Sequence, residues 1–360
     1  MLYRSLLPGA LALGTFWLAG CGDTATEPPA SAEPTAGAPA LAVTSNSWIT
    51  RNALPMTRSG HAVATVTNAA GQSIVYVIGG ATATNWASAK VAAYNVATNT
   101  WSWPRQLPVP VAASNGAGVI NGKIYVSGGR GPDELNKPSR ALYMFNPSAN
   151  SWTRKRDIPI VTINGEQRIA GLGVTGVINN KLYVVAGCFT LPIEWYYYVE
   201  SCPPLFFRYD PATNGWTRLP SPFGVNTPTT SPFGAGVIGG KFYLTANSDL
   251  TYDARFSVYD PATNRWTPKP ILGRARTGAA TAVLGGKLYV MGGYLEGPPW
   301  THETLDLTSV FNPTTNLWSQ RARLPSPRAG IAGATVMLSG KPRIEVIGGI
   351  APGNNLQYIP

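Results

Sequence analysis

The stretch YDPATNGW, residues 209 to 216, decides the fold because it returns along the chain in five versions. The others are YDPATNRW (259–266), YNVATNTW (94–101), FNPSANSW (145–152) and FNPTTNLW (311–318). Pro presets φ for a turn, the Asp before it can accept from backbone N–H groups two residues on, and Asn tolerates the left-handed conformation. Tyr and Trp then flank the turn on adjacent strands and can pack between layers. The octapeptide therefore predicts a structural joint, not a binding motif.

Two further apolar strands precede each copy of the octapeptide. The second of these strands ends in paired small residues, as YVIGG (76–80), YVSGG (125–129), YVVAG (183–187), YLTAN (243–247), YVMGG (289–293) and EVIGG (345–349). Short links such as Asn121-Gly122 join the two strands, and Asn-Gly strongly favours a hairpin. The repeating unit is four strands over roughly 50 residues, which is typical of a propeller blade.

Paired glycines, then a Tyr, then a Trp seven positions later resemble the Kelch repeat, and the resemblance covers residues 46–360. Six units imply an all-β fold, a six-bladed Kelch β-propeller. The chain ends in LQYIP (356–360) and the same pattern starts at TSNSW (44–48), so one octapeptide is split between the two ends. We therefore expect the last blade to be closed by the N-terminal strand, around Trp48 to Ala53.

The N-terminus resembles a bacterial lipoprotein signal. Arg4 precedes a short apolar run, and Leu18-Ala19-Gly20-Cys21 is similar to a lipobox. The resemblance implies removal of residues 1–20 as a signal peptide and a lipid on Cys21 that anchors the protein to a membrane. Residues 21–45 are rich in Pro, Ala, Thr and Ser, which predicts a flexible tether. This indicates the bacterial cell envelope, either in the outer membrane or facing the periplasm, and the sequence leaves open whether the protein is exposed at the cell surface. The alternative is a conventional signal peptide without a lipid anchor.

The remaining cysteines and the composition suit an exported, folded domain. Cys188 and Cys202 predict a disulfide in an oxidising compartment, and a metal or redox pair would lack both a nearby His and CxxC spacing. Hydrophobic residues make up 44% of the chain and charged residues 12%, which is enough apolar surface for a packed core. The net charge of +11 favours anionic partners. We expect a monomer that binds no nucleic acid.

The loops between strands two and three carry the unusual side chains. Three blades each place a Trp there, and two of those loops add Tyr, His and carboxylates. The candidates are Trp86, Glu194, Trp195, Tyr196, Glu296, Trp300, His302 and Glu303. Aromatic faces beside hydrogen-bonding groups suit sugar rings. The alternative is that these aromatics cover the underside of their own loops.

Three arginines form a second candidate group. Arg58, Arg276 and Arg328 occupy one equivalent position at the start of strand one, in blades one, five and six. Ring closure makes these blades neighbours, and guanidinium groups can bind a carboxylate or sulfate in a bidentate manner. Arginine at this position is also common in Kelch repeats, which leaves a structural role open.

Catalytic signals are weak. The chain has two His, and it contains no nucleophile elbow, phosphate loop or zinc motif, so we predict neither a metal nor another cofactor. The leading hypothesis is a module that binds a protein or a glycan through the loop-rich face. An anionic ligand is one form of this hypothesis. The alternative is a metal-independent carbohydrate-modifying enzyme similar to the sialic acid mutarotases, a fold-level analogy. In it the arginines hold an acidic sugar and Glu194, Glu296 or Glu303 is the acid/base. Whether the chain is an enzyme stays open.

Overall fold

The computed structural model describes residues 45–112, 116–131, 138–190, 203–223, 230–248, 254–273, 275–297, 301–349 and 355–360. Contacts divide the chain into Val43–Pro360, which is one compact unit, and Met1–Ala42, which lies outside the described residues. The described part is all β-strand and turn, and it holds no helix that could cross a membrane.

Apart from one two-stranded hairpin, the described strands form six antiparallel sheets, which are the blades of a propeller. The chain begins with β1 (Ser47–Arg51), which belongs to the last blade. Blade one is β2 (Ala62–Thr67), β3 (Ser73–Ile78), β4 (Val91–Asn95) and β5 (Thr100–Ser102). Blade two is β6 (Ala117–Ile120), β7 (Lys123–Ser127), β8 (Leu142–Asn146) and β9 (Ser151–Lys155). Blade three is β10 (Val161–Ile163), β11 (Glu166–Ile178), β12 (Lys181–Thr190), β13 (Leu205–Asp210) and β14 (Gly215–Leu219).

The second half of the ring follows the same plan. Blade four is β15 (Thr230–Ile238), β16 (Lys241–Ser248), β17 (Ala254–Asp260) and β18 (Arg265–Pro268). Blade five is β19 (Ala280–Leu284), β20 (Lys287–Met291), β23 (Thr308–Asn312) and β24 (Leu317–Arg321), with a separate hairpin of β21 (Tyr294–Gly297) and β22 (Thr301–Thr304) in its two-to-three loop. Blade six is β25 (Ile331–Leu338), β26 (Lys341–Gly348), β27 (Asn355–Ile359) and β1.

Burial follows from the stacking of blades on one another. In blade one the third strand is buried at four of five positions, whereas the outer strand β5 is exposed or half-buried throughout. Both faces of the inner strands pack against neighbouring sheets, which favours continuous apolar runs. Blades one and two share such a core, in which the rings of Tyr76 and Phe145 lie 5.6 Å apart. The core is therefore a set of inter-blade layers.

The octapeptide is the joint between successive blades. Asn214 adopts a φ of 49° and accepts from the Tyr209 hydroxyl at 2.7 Å and from the Arg156 backbone N–H of the preceding blade at 3.1 Å. The Trp216 indole donates to the Arg156 carbonyl at 2.7 Å. Asp210 accepts from the Ala212 N–H, as the turn chemistry predicts. Joints of the same kind are made by Trp101 with Asn52, Trp152 with Arg105, Trp266 with Pro220 and Trp318 with Pro270.

The sixth joint closes the ring, as the split repeat predicts. β1 pairs with β27 in antiparallel register, which places Trp48 opposite Tyr358. The Tyr358 hydroxyl donates to Asn46 at 2.8 Å, and the Trp48 indole donates to the Ala322 carbonyl of blade five at 2.9 Å. One octapeptide assembled from both chain ends therefore fastens the last blade.

The paired glycines bring blades into backbone contact. Gly80 donates its N–H to the Val111 carbonyl at 2.8 Å, and a Cβ on Gly79 would lie 2.6 Å from the same oxygen. Gly292 stands equally close to the Arg328 carbonyl of the next blade. These positions need glycine both for their positive φ and for the close approach of the neighbouring chain.

Candidate functional site

A cavity of about 380 Å³ opens at the end of blade one where its two-to-three loop meets the entry to strand one. We call it the Trp86 cavity. It is lined by residues 57–59, residues 81–86 and Gly349, the last described residue of blade six before its own two-to-three loop. Two candidates from the sequence, Arg58 and Trp86, thus line one cavity.

The Trp86 side chain is held out into solvent. Its exposed fraction is 80%, the largest among the exposed large hydrophobic residues of the described chain. Before it, the Thr82 N–H donates to the Asn85 carbonyl at 2.8 Å and the Asn85 N–H donates to Thr82 Oγ1 at 3.1 Å, which fixes a tight turn. After it, Ala87 and Ser88 are buried and anchor the loop. Trp86 is therefore an exposed indole on a fixed turn.

Arg58 lies behind this cavity and is only 1% exposed. Its Nη1 donates to the Lys90 carbonyl at 2.9 Å and to the Gly79 carbonyl at 3.3 Å, so the guanidinium ties the loop end to its own blade. Nε and Nη2 are buried without a hydrogen-bond partner in the described part of the chain. Burial lowers the pKa of Arg58 to about 10, which leaves it charged at neutral pH.

The other two arginines occupy equivalent positions and are also buried. Arg276 is 4% exposed and donates through Nη2 to the Ser309 hydroxyl at 2.6 Å, and burial lowers its pKa to about 10. Arg328 is 3% exposed and donates to the Ser326 hydroxyl at 3.0 Å, and burial lowers its pKa too. Each guanidinium contacts its own blade, and only Arg58 lines the Trp86 cavity.

The buried histidine of blade one lies next to the central channel. His61 is 1% exposed and lines a small cavity of about 120 Å³ together with residues from the inner strands of the other blades, among them Thr175 and Thr281. Burial, reinforced by the charge of Arg58, lowers its pKa to about 3. The ring is therefore neutral at physiological pH, and it packs against Gly348 of blade six.

The hairpin in the blade-five loop places three candidates in register. Glu296 lies directly opposite His302, and Leu295 lies opposite Glu303. The Glu303 side chain is exposed. Within the described residues, no group of three or more His, Cys, Asp or Glu is placed to hold a metal ion.

The remaining candidates lie outside the described residues: Cys21, Glu194, Trp195, Tyr196, Trp300 and Cys202. Cys188 lies on β12 and is buried. Its pairing with Cys202 stays a prediction, as does the lipid on Cys21.

Sequence reasoning missed the polar lining of the Trp86 cavity. Thr57, Ser59, Thr82, Thr84 and Asn85 surround it. The run TATNW at 82–86 carried a usable signal, since Thr and Asn favour hydrogen-bonded turns that present the next side chain.

Comparison with known proteins agrees with this architecture. The model of the KLHDC2/KLHL20/DRC7 Kelch-repeats domain matches residues 40–246, and the Kelch motif model matches residues 275–325. The Kelch-like protein terF of Aspergillus terreus is 27% identical over 297 residues, which are 78% of this chain and 60% of that protein. The N-acetylneuraminate epimerase of Haemophilus influenzae is 27% identical over 275 residues, which are 76% of this chain and 62% of that enzyme.

This chain thus spans about three fifths of the length of both relatives. The solved structure of YjhT covers 86% of this chain and 95% of its own, with a TM-score of 0.62 at 16% identity, which shows the fold alone. Because the first domain model spans more than half of the residues and the structure closes six repeats into a ring, the chain belongs to the Kelch-repeat family.

Proposed function

We propose that this Kelch propeller is a binding module whose loop-rich face takes a glycan at the Trp86 cavity. One observation carries the proposal: an indole that is 80% exposed stands at the wall of a cavity lined with hydroxyl and amide groups. A sugar ring offers an apolar face for stacking and hydroxyls for hydrogen bonds, and this combination of groups matches both. Arg58 adds a positive charge behind the cavity, which favours an acidic sugar or another anionic ligand.

Trp86→Ala should abolish most glycan binding by the full chain. Removing the stacking surface is expected to weaken binding by at least about tenfold, as for other exposed aromatic anchors. A glycan array followed by titration calorimetry with the strongest hit measures the change. Trp103→Ala is the matched control, because Trp103 is 51% exposed and does not line the cavity.

If the array shows no ligand above background, or if both tryptophan variants lose binding equally, the Trp86 cavity is not a glycan site. A protein ligand would be indicated by the opposite pattern, in which purified candidate proteins bind and Trp86→Ala weakens them while every glycan fails.

A second candidate function is a sugar-modifying enzyme similar to the sialic acid mutarotases. The similarity to an N-acetylneuraminate epimerase favours it. Its arginines would have to hold the substrate together, whereas Arg276 and Arg328 are engaged inside their own blades. Proton NMR of N-acetylneuraminate with the full chain distinguishes the two functions, since an enzyme accelerates exchange between the anomers and a binding module does not.

We also propose that the chain is a lipoprotein of the bacterial cell envelope with a Cys188–Cys202 disulfide. The lipobox-like Leu18-Ala19-Gly20-Cys21 supports the anchor, and the even pair of cysteines left after it supports an oxidising compartment. Cys21→Ser should abolish incorporation of radiolabelled palmitate into the protein expressed in a Gram-negative host. Cys188→Ser, which leaves the lipobox intact, is the control and should keep the label; retention of label by Cys21→Ser would refute the anchor.

A further inference from the structure

A second cavity lies at the seam between blades three and four, and it shares no lining residue with the Trp86 cavity. It has a volume of about 690 Å³ and is formed by the linker that leaves β14 and by the outer half of blade four. We call it the seam groove. Its lining comprises residues 220–223, 254–257 and 264–266, with Pro268, Lys269 and Ile271.

The groove opens where the linker departs from the repeat. Six residues after the octapeptide Trp, four of the six linkers place a buried aliphatic side chain: Leu54, Leu107, Ile158 and Leu324. In the linkers of Leu107, Ile158 and Leu324, the N–H of this residue donates to a backbone carbonyl of the blade that precedes the linker, at 2.8 to 2.9 Å. The linker between blades three and four has Pro222 there, which has no N–H to donate.

A second proline of this linker, Pro220, occupies a position that donates a hydrogen bond in four other joints, and Pro270 occupies the same position in the next linker. In four joints the backbone N–H four residues after the Trp donates to the octapeptide Asn of the next blade. Pro220 occupies this position before blade four and cannot donate, whereas its carbonyl accepts the bond from the Trp266 indole at 2.9 Å. Asn264, which would receive the missing bond, lines the groove.

The floor and rim of the groove are apolar and aromatic. Phe256 is buried beneath it, whereas the Trp266 and Phe223 side chains are half-buried. Ile271 at the rim is 54% exposed and adds apolar surface beside the half-buried aromatic rings.

The charged side chains that the described residues contribute to the groove are all cations. Arg255, Arg265 and Lys269 line it, and none of the described lining residues carries a carboxylate. Asp260, in the turn before Asn264, is ion-paired with Lys241 at 2.8 Å. The Arg255 guanidinium lies 5.7 Å from the centre of the Phe223 ring, and its Nε is buried without a hydrogen-bond partner in the described chain. The groove therefore offers donors and apolar surface together.

From this complementarity we propose that the seam groove docks an extended segment of a partner protein in which carboxylates alternate with apolar side chains. The three cations supply charge-assisted hydrogen bonds to the carboxylates, and Trp266, Phe223 and Ile271 bury the apolar side chains. A neutral saccharide fits less well, because it carries no negative charge to pair with the three cations. The site is independent of the Trp86 cavity, so either can fail without the other.

The test uses the full chain and a fluorescein-labelled synthetic peptide, Glu-Leu-Glu-Phe-Glu-Leu-Glu, with a counterpart in which every Glu is Gln. Fluorescence anisotropy should show saturable binding of the acidic peptide, about tenfold weaker for the Gln peptide and weaker when NaCl rises from about 50 to 300 mM. The double variant Arg265→Glu, Lys269→Glu should weaken binding by at least about tenfold, and Ile271→Ser should weaken it severalfold.

Lys123→Glu is the matched control, because Lys123 is an exposed lysine in a turn of blade two and lies outside the seam groove. It should leave the affinity unchanged, and thermal unfolding should show that all variants are folded. The proposal is overturned by absence of saturable binding, by equal affinity of the wild type and the charge-reversal variant, or by tri-galacturonate displacing the peptide as well as unlabelled peptide does. The last outcome would identify a site for anionic saccharides.

Discussion

Gly79→Ala should destabilise the propeller far more than Gly122→Ala, although the two glycines have nearly the same φ. Their φ angles are +68° and +69°, so an alanine in the left-handed region costs roughly 1 to 2 kcal/mol at either place. A Cβ on Gly79 would also lie 2.6 Å from the Val111 carbonyl oxygen and 2.8 Å from Val111 Cγ2, whereas a Cβ on Gly122 has nothing within 4 Å. Forced overpacking adds about 1 to 3 kcal/mol.

Denaturant unfolding of the two variants measures the difference directly, since the conformational cost is common to both. The additional loss of unfolding free energy in Gly79→Ala measures the backbone contact between blades one and two, because Val111 belongs to the entry of blade two. Equal losses of unfolding free energy would mean that the seam moves apart at little cost and that the paired glycines act only through φ.

Glu345→Gln should stabilise the protein at pH 8 and leave its stability nearly unchanged at pH 5. Glu345 lies fully buried on β26, in register with Gln357 on β27, whose amide donates to it. Burial raises its pKa from 4.5 to about 7, and the hydrogen bond from Gln357 and the charge of Arg51 only partly offset that rise. The ionised form therefore carries a penalty of roughly 3 kcal/mol in the folded state.

The direction of this pH dependence follows from the difference in proton binding between the folded and the unfolded protein. Between pH 4.5 and about 7 the folded protein keeps a proton that the unfolded chain releases, so the stability falls as pH rises through this window and is lowest above it. A neutral amide of the same shape removes this loss and still accepts the bond from Gln357. Unfolding midpoints in urea from pH 5 to 8 should therefore be flatter for the variant, with a gain of about 2 to 3 kcal/mol at the alkaline end.

Asp210→Asn should change the stability at neutral pH in the opposite direction from Glu345→Gln. The hydrogen bond from Lys181 lowers the pKa of Asp210, so its contribution to stability is present at neutral pH and lost as pH falls. This variant should lose stability at neutral pH.

A Glu345→Gln stability profile that parallels that of the wild type from pH 5 to 8 would show that Glu345 is not the buried titrating group.

Much of the fold could be predicted from the sequence because the turns that define the repeat depend on residues that are close together in the chain. Asn in the left-handed region, Asp before Pro, and Tyr and Trp flanking a turn dictate the same joint each time, and the φ of 49° at Asn214 and 55° at Asn264 confirm it. The split octapeptide predicted that β1 closes blade six, and the Trp48–Tyr358 pairing confirms that expectation.

The candidate site was less accessible from the sequence. Three arginines at equivalent positions predicted a group that could bind an acidic ligand, and that role stays a prediction. The structure adds that all three are buried and that Arg58 donates to Lys90, Arg276 to Ser309 and Arg328 to Ser326. Side-chain direction at the start of strand one depends on which carbonyls the following loop leaves open, and spacing alone does not encode that. The exposed Trp86 was recognised because it stands outside the repeat pattern.

The sequence by itself determined the repeat, the number of blades and the closure of the ring, since each follows from turn chemistry within a few residues. Only the tertiary structure decided what lies between blades: the burial of Glu345, the contact of Gly79 with Val111, and the groove left by Pro220 and Pro222. Those features arise where surfaces from distant parts of the chain meet, and their energies depend on distances that no local pattern specifies.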